Sequence, residues 1–409
     1  MLKRFSLYGF LKNQRYFEPF LLLFLLEKGI SFTEIGILVG FREICRNFSE
    51  IPSGVLADLY GRRRSMIFSF TSYIASFLIF GFSNFYWQLF FAMFFFALGD
   101  AFRTGTHKAM IFTWLKLNNR TEERSKVYGY TRSWSKIGSA VSILLATIFV
   151  IYENNYTSIF FYSVIPYVFG LINFITYPKE LDGLSVEKPN LTLVFNHLWE
   201  SLKKVVKFRK LRNLVFESIS FEGVFTTTKD YIQPIVQNFA LAIPFLLFMD
   251  NKGRTAVIIG IVYFILYILS AFASRNSHKI AEHFGGEYPA CKKLWYVDLA
   301  IYTALIPFLF FELYLIAIIL FILLFVLQNV WRPLLISRFD DFATEQEGAT
   351  ILSIESQAQS TSAMIFAPLV GFAVDTMKDH SQSGEFWPIG LLGASLALII
   401  ILFVNKAAK

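Results

Sequence analysis

The sequence predicts an all-α integral membrane protein: twelve transmembrane helices in two pseudo-symmetric six-helix bundles, with both termini cytoplasmic. Three observations predict it. Of 409 residues, 55% are apolar, 18% aromatic and only 17% charged, against about 25% charged in a soluble chain. Apolar segments of helix length recur between polar breaks, at 5–27, 32–57, 65–83, 86–115, 126–152, 158–177, 212–239, 254–275, 293–311, 313–337, 349–376 and 386–405. Lys and Arg are unevenly spread: 24 fall in loops and ends on the side of the termini and 4 on the other, the bias that marks a cytoplasmic face.

Taken in order, each element has its reason. The first segment carries Lys12, Arg15 and Glu18 and lacks a small-residue cleavage pattern, so it reads as a membrane helix and not a removable leader. Six segments precede a polar, basic stretch and six follow it, which gives an N-terminal bundle over 1–177, a cytoplasmic linker over 178–211 and a C-terminal bundle over 212–409. The run 241–249 is apolar but too short to span and is interrupted by Pro244, so it reads as an interfacial extension. Cys45 falls in an apolar helix and Cys291 in a basic loop, and the five histidines are scattered, so neither a disulfide nor a metal site is expected. There is no P-loop. The net charge of +8 matches the cytoplasmic bias of a membrane protein better than nucleic-acid binding, and no soluble catalytic domain fits between the spans. No cofactor and no enzymatic activity are expected.

The loop after the second segment reads Gly54-Val-Leu-Ala-Asp58-Leu-Tyr-Gly61-Arg62-Arg63-Arg64. Gly54 suits close helix packing, Gly61 a tight turn, and Asp58 can bond a neighbouring helix end or an arginine. The spacing resembles the signature loop of the major facilitator superfamily, and Glu50-Ile-Pro-Ser-Gly before it, Glu123-Arg124-Ser125 with Gly129, and Tyr177-Pro178-Lys179-Glu180 are similar to that family too. The resemblance implies a multi-pass transporter of a cell membrane, plasma or bacterial inner. It also implies gating by Gly54, Asp58, Gly61, Arg62 and Arg63, with Asp58 latching the two halves on the cytoplasmic side. One departure bears on substrate: Ile137-Gly138-Ser139-Ala140-Val141-Ser142 has no proline, unlike the corresponding run of proton-antiporting drug exporters. The halves also resemble each other. Gly54-x-x-x-Asp58-x-x-Gly61 aligns with His278-x-x-x-Glu282-x-x-Gly285 at an offset of 224, and Thr121-Glu122-Glu123 with Thr344-Glu345-Gln346 at 223, the trace expected of a duplicated six-helix unit.

Nineteen charges lie inside the apolar segments, more than three residues from either end, and only these are counted below. A lipid-facing charge at mid-bilayer depth costs roughly 2.5–3.5 kcal/mol, so these must face one another or water. The third, sixth, eighth and twelfth segments carry none and the ninth only Asp298. In the resembled family the first, fourth, seventh and tenth helices line the cavity, and the charge distribution agrees. Substrate binding and coupling are therefore expected at Arg15, Glu18, Arg46, Asp100, Arg103, His107, Arg132, Glu222, Lys229, Gln233, Arg332 and Glu355. Arg42, Arg46 and Glu50 can equally form an ion-pair lattice, and His107 can be a proton carrier or a packing residue. The aromatics are expected mainly at lipid and interface positions, with Tyr8, Tyr16, Phe17 and Tyr231 as cavity exceptions. Eight of the ten intramembrane cations fall in the first half, which favours an anionic or zwitterionic small molecule. The expected function is alternating-access secondary transport by a monomer, with a proton as coupling ion. Proton-driven efflux of amphiphilic drugs or lipids and a non-transporting receptor on the same fold are the alternatives.

Overall fold

A computed structural model describes residues 1–182, 209–340, 348–380 and 384–407. Among the described residues there are helices and turns and no strand. The first stretch forms α1 (Leu2–Leu11), α2 (Leu21–Glu27), α3 (Phe32–Tyr60), α4 (Arg62–Phe82), α5 (Tyr86–Arg103), α6 (Thr106–Leu117), α7 (Arg124–Glu153) and α8 (Ser158–Ile175). The later stretches form α9 (Arg209–Ser218), α10 (Val224–Thr228), α11 (Ile232–Ala242), α12 (Asn251–His283), α13 (Glu287–Phe310), α14 (Tyr314–Asp340), α15 (Gly348–His380) and α16 (Trp387–Ala407). Seven helices among the described residues are long and apolar enough to cross a membrane. Most of the linker expected at 178–211 lies outside the described residues.

Three segments read as single helices are interrupted. In 5–27 the chain leaves the helix after Leu11 and re-enters through a 3₁₀ turn at Glu18–Phe20. Pro19 supplies no N–H there, while Asn13 Nδ2 donates to the Gly9 carbonyl at 2.7 Å and Gln14 Nε2 to the Gly138 carbonyl at 2.9 Å. The Asn13 amide thus satisfies an acceptor that a continuing helix would have used, and the Gln14 amide ties the turn to α7. In 86–115 the break is Thr104, extended at ψ 128°, followed by Gly105 at φ +76°, a left-handed conformation that glycine adopts freely. In 212–239 a π-helical turn occupies Ile219–Gly223, and the Ser362 hydroxyl bonds the Ile219 carbonyl at 3.0 Å. The extension expected at 241–249 follows the end of α11, and Arg254, assigned to a loop from sequence, is buried in the first turn of α12. Its guanidinium donates to the carbonyls of Ala240 (2.8 Å), Ile243 (2.6 Å) and Phe245 (3.1 Å).

Packing divides the chain into one unit of residues 1–24 and 41–194 and a second of 25–40 and 195–409. The core of the first is aromatic. Phe5, Phe20, Phe70, Phe77, Phe80, Phe160 and Phe174 are fully buried, and Phe17 stacks on Phe160 at 4.9 Å. Rings expected at lipid positions are therefore core here, each pair contributing about 0.5–1.5 kcal/mol beyond its burial. Helices α4 and α5 meet through small residues: Ser69, Ser76 and Ser65 bond the carbonyls of Gly99 (2.6 Å), Ala92 (2.8 Å) and Phe102 (3.0 Å).

In the second unit the first turns of α3 pack on α15. A Cβ at Gly36 would stand 2.3 Å from the Ala367 carbonyl, and one at Gly371 2.1 Å from that of Phe32. Asp375 accepts from the backbone N–H groups of Phe32 (3.0 Å) and Thr33 (2.7 Å) and from the Thr33 hydroxyl (2.6 Å), capping α3 from another helix. Elsewhere in this unit Phe221 stacks on Trp331 at 4.4 Å, with Trp295 edge-on to both. Both loops that align in sequence hold a glycine at positive φ, Gly61 at +99° before α4 and Gly285 at +76° before α13.

Candidate functional site

The centre of the first unit is a single carboxylate held between two guanidinium groups. Asp100 and Arg103 lie three residues apart on α5, on one face, and Arg15 comes from the turn after α1. Asp100 Oδ1 accepts from Arg103 Nη2 at 2.9 Å and from Arg15 Nη2 at 3.3 Å. The Tyr73 hydroxyl, from α4, donates to the same oxygen and accepts from Arg15 Nη2 (2.8 Å) and Arg103 Nε (3.0 Å). Tyr167, from α8, accepts from Arg15 Nε at 2.8 Å and donates a hydrogen bond to the Lys12 carbonyl at 2.8 Å. Tyr73 is seated by Gly99, where a Cβ would come within 2.8 Å of its ring. Two cations against one carboxylate leave the cluster net positive.

Beside this cluster, α1, α6 and α7 enclose a cavity of about 360 Å³. Lys12, Arg132 and Lys136 line it, and among the described residues no Asp or Glu does. His107 is buried in its wall, stacked on Tyr8 at 3.8 Å, and His107 Nε2 has no hydrogen-bond partner among the described residues. Arg103 also lies against the Tyr8 hydroxyl, so Tyr8 joins the cavity to the Asp100 cluster.

The other expected residues fall in separate groups. On α3, Glu43 pairs with Arg42 at 2.8 Å and with Arg46 at 2.9 Å. Glu18 is exposed at the start of the 3₁₀ turn. In the second unit the π-helical turn presents Glu222, fully buried, to Arg332 Nη1 and Gln328 Nε2, each at 3.0 Å. Gln359 approaches Arg332 at 3.5 Å and donates to the Thr226 hydroxyl at 2.8 Å. Lys229 pairs with Asp230 at 2.7 Å, and Gln233 Nε2 reaches the Tyr263 hydroxyl at 3.4 Å. The side chain of Glu355 lies outside the described residues.

Around the signature loop, Gly61 packs so closely on Asp182 that a Cβ would stand 2.8 Å from its carboxyl carbon. Asp182 accepts from the Arg63 N–H at 2.7 Å, and Arg62 Nη1 donates to the Thr113 hydroxyl at 2.8 Å. Gly54 has open space around it, and the side chain of Asp58 lies outside the described residues. Sequence reasoning missed Tyr73, Tyr167, Gln328 and Asp182 as partners. It saw Lys12 and Lys136 as intramembrane cations without assigning them to a site.

The model of the Major Facilitator Superfamily matches residues 13–368. The Bacillus subtilis (strain 168) protein described as the uncharacterized MFS-type transporter YxaM is 25% identical over 238 residues, 55% of this chain and 56% of that one. The chain thus aligns with little more than half of that relative's length. The crystal structure of the nucleoside transporter NupG superposes with a TM-score of 0.78 at 11% identity, over 100% of this chain and 99% of that one. A POT family transporter in complex with 5-aminolevulinic acid gives 0.72 at 14%, over 100% and 96%. At such identities the likeness is one of fold. With a family model that covers most of its length and seven apolar spans among its described residues, the chain belongs to the Major Facilitator Superfamily and is a multi-pass membrane protein.

Proposed function

We propose that the chain is a secondary transporter of a small organic anion or zwitterion, working by alternating access, coupled to protons, on a twelve-helix scaffold with cytoplasmic termini. The observation that carries this reading is the placement of Arg15 and Arg103 on the one carboxylate of Asp100, beside a cavity whose charged lining, among the described residues, is cationic. Guanidinium groups bind carboxylate or phosphate through paired hydrogen bonds. A substrate anion that engages Arg103 competes directly with Asp100 Oδ1. As Arg103 turns to the substrate, a proton on Asp100 replaces the lost cation, so substrate and proton enter together. Glu222, held by Arg332 and Gln328, repeats the arrangement in the second unit. The structure of a POT family transporter with 5-aminolevulinic acid supports the class, as a molecule with an amino group and a carboxylic acid. The Lys and Arg asymmetry and the signature loop support the orientation and the role of Asp58.

The test is counterflow in proteoliposomes with organic acids, amino acids, phosphates and amphiphilic amines as competitors. Exchange of acids or amino acids, lost in Arg103→Ala, supports the reading. Exchange limited to amphiphiles, or unchanged binding in Arg103→Ala, refutes it.

A further inference from the structure

The three cations around the cavity have a consequence for substrate charge. Arg15 and Arg103 share Asp100, but Lys12, Arg132 and Lys136 have no ion-pair partner among the described residues, and the wall contains no acid. Arg132 and Lys136 are exposed to this space, one turn apart on α7. Lys12 ends α1, where its ammonium lies 5.4 Å from the Tyr8 ring. Like charges gathered around one cavity repel one another. An anion relieves it. A monoanion would balance the excess charge of the Asp100 cluster alone and leave the cavity's own charge unanswered.

The remaining chemistry of the cavity agrees. Ser135 and Thr131 offer hydroxyls from α7. The walls are fixed by close backbone approach: a Cβ at Gly9 would stand 2.7 Å from the Thr131 carbonyl, and one at Gly138 2.6 Å from that of Phe10. At about 360 Å³ the space is at the small end of the ~300–1,000 Å³ range of ligand pockets, too small for a peptide or a large amphiphile.

From these observations we infer that the cavity between α1, α6 and α7 binds a compact dianion, with both negative charges on one small molecule, held by Lys12, Arg132 and Lys136. This rests on the anion-transport reading and narrows it. Two chemical forms satisfy it, a phosphate monoester and a short dicarboxylate.

The test uses the full chain in detergent at constant ionic strength and slightly alkaline pH. Glycerol 3-phosphate and succinate are the dianionic probes and lactate the monoanionic one, with affinity read from the ligand-dependent rise in unfolding temperature. Both dianions, or one of them, should bind more tightly than lactate, and the tighter one names the form. Lys136→Gln and Arg132→Gln should each weaken the dianion by about 10- to 100-fold, the loss of one hydrogen bond to a charged group, and leave lactate little changed. Lys136→Arg should keep most of the affinity. Equal affinity for lactate and both dianions, or dianion binding unaltered in Lys136→Gln, overturns the inference while the anion-transport reading stands. If no anion binds and an amphiphilic amine does, both fall.

Discussion

Replacing Asp100 by Asn keeps the shape of the side chain and removes the one negative charge between Arg15 and Arg103. The three side chains are 17%, 16% and 22% exposed, so the pairing is neither dry nor freely hydrated. Removing one partner of a buried pair costs about 3–5 kcal/mol, because the other is left uncompensated. Partial exposure places this site near the low end, about 3 kcal/mol. Asn still offers an acceptor to Tyr73, so the loss belongs to charge and not to a missing hydrogen bond. The assay is chemical unfolding in detergent of wild type, Asp100→Asn, Arg103→Gln and the double variant. Arg103→Gln in the Asp100→Asn background removes one of the two stranded cations, so the double variant should recover a good part of the first loss and the cycle should be clearly non-additive.

The same substitution separates structure from coupling. Freed guanidinium groups are better receptors, so Asp100→Asn should bind the substrate anion at least as tightly as wild type and still exchange it. It should fail to accumulate substrate against a gradient, since no carboxylate remains to take the proton. Accumulation equal to wild type would reduce Asp100 to a structural partner of Arg103. An additive cycle, with Asp100→Asn within about 0.5 kcal/mol of wild type, a change ordinary for a surface substitution, would refute the electrostatic account of the cluster.

Tyr73→Phe removes only a hydroxyl, yet that hydroxyl bonds Asp100, Arg15 and Arg103; unfolding should show a loss of about 2–3 kcal/mol, with substrate affinity reduced as well. Glu385, outside the spans, faces Lys378, Glu312 and Asp375; burial pushes its carboxyl above the ordinary value of 4.5, Lys378 opposes this, and the two acids add to it. A raised carboxylate stabilises the fold while protonated, fully below pH 4.5, and that contribution is lost as pH rises through the raised value. Glu385→Gln should therefore gain stability over wild type at neutral and alkaline pH and show no difference in acid, which unfolding across pH will read. Asp58→Asn should insert normally and transport poorly, and Asp58→Lys worse through repulsion from Arg62, Arg63 and Arg64; near-normal flux in a correctly inserted Asp58→Asn protein would remove Asp58 from gating. Single cysteines placed within 178–211 should label only from the cytoplasm and those at 250–253 only from outside, and a reversed result would overturn the proposed orientation.

The family was legible because its signals are local. Composition, apolar runs and the loop from Gly54 to Arg64 need no tertiary knowledge, and the family match over 13–368 agrees with them. The charged members of the clusters were legible for a related reason. A charge in an apolar segment must be compensated, so Arg15, Asp100, Arg103, Glu222 and Arg332 advertise themselves. Their neutral partners do not. Tyr73 and Tyr167 sit on segments without a single charge, and in a chain this rich in aromatic rings a tyrosine reads as apolar filler until α4 and α8 are seen against α5 and α1. The helix breaks were hidden in the same way: Gln14 stands among Lys12, Asn13 and Arg15 in an otherwise apolar segment, and only the bond from its amide to the Gly138 carbonyl shows that this stretch turns against α7. That turn decides the site. A helix continuing through residue 15 would follow the axis of α1, whereas the turn after Leu11 carries Arg15 to Asp100 and leaves Lys12 to the cavity. Sequence identifies which charges need partners; the backbone breaks, set by an amide, a proline and close contacts at glycine, decide which partners they get.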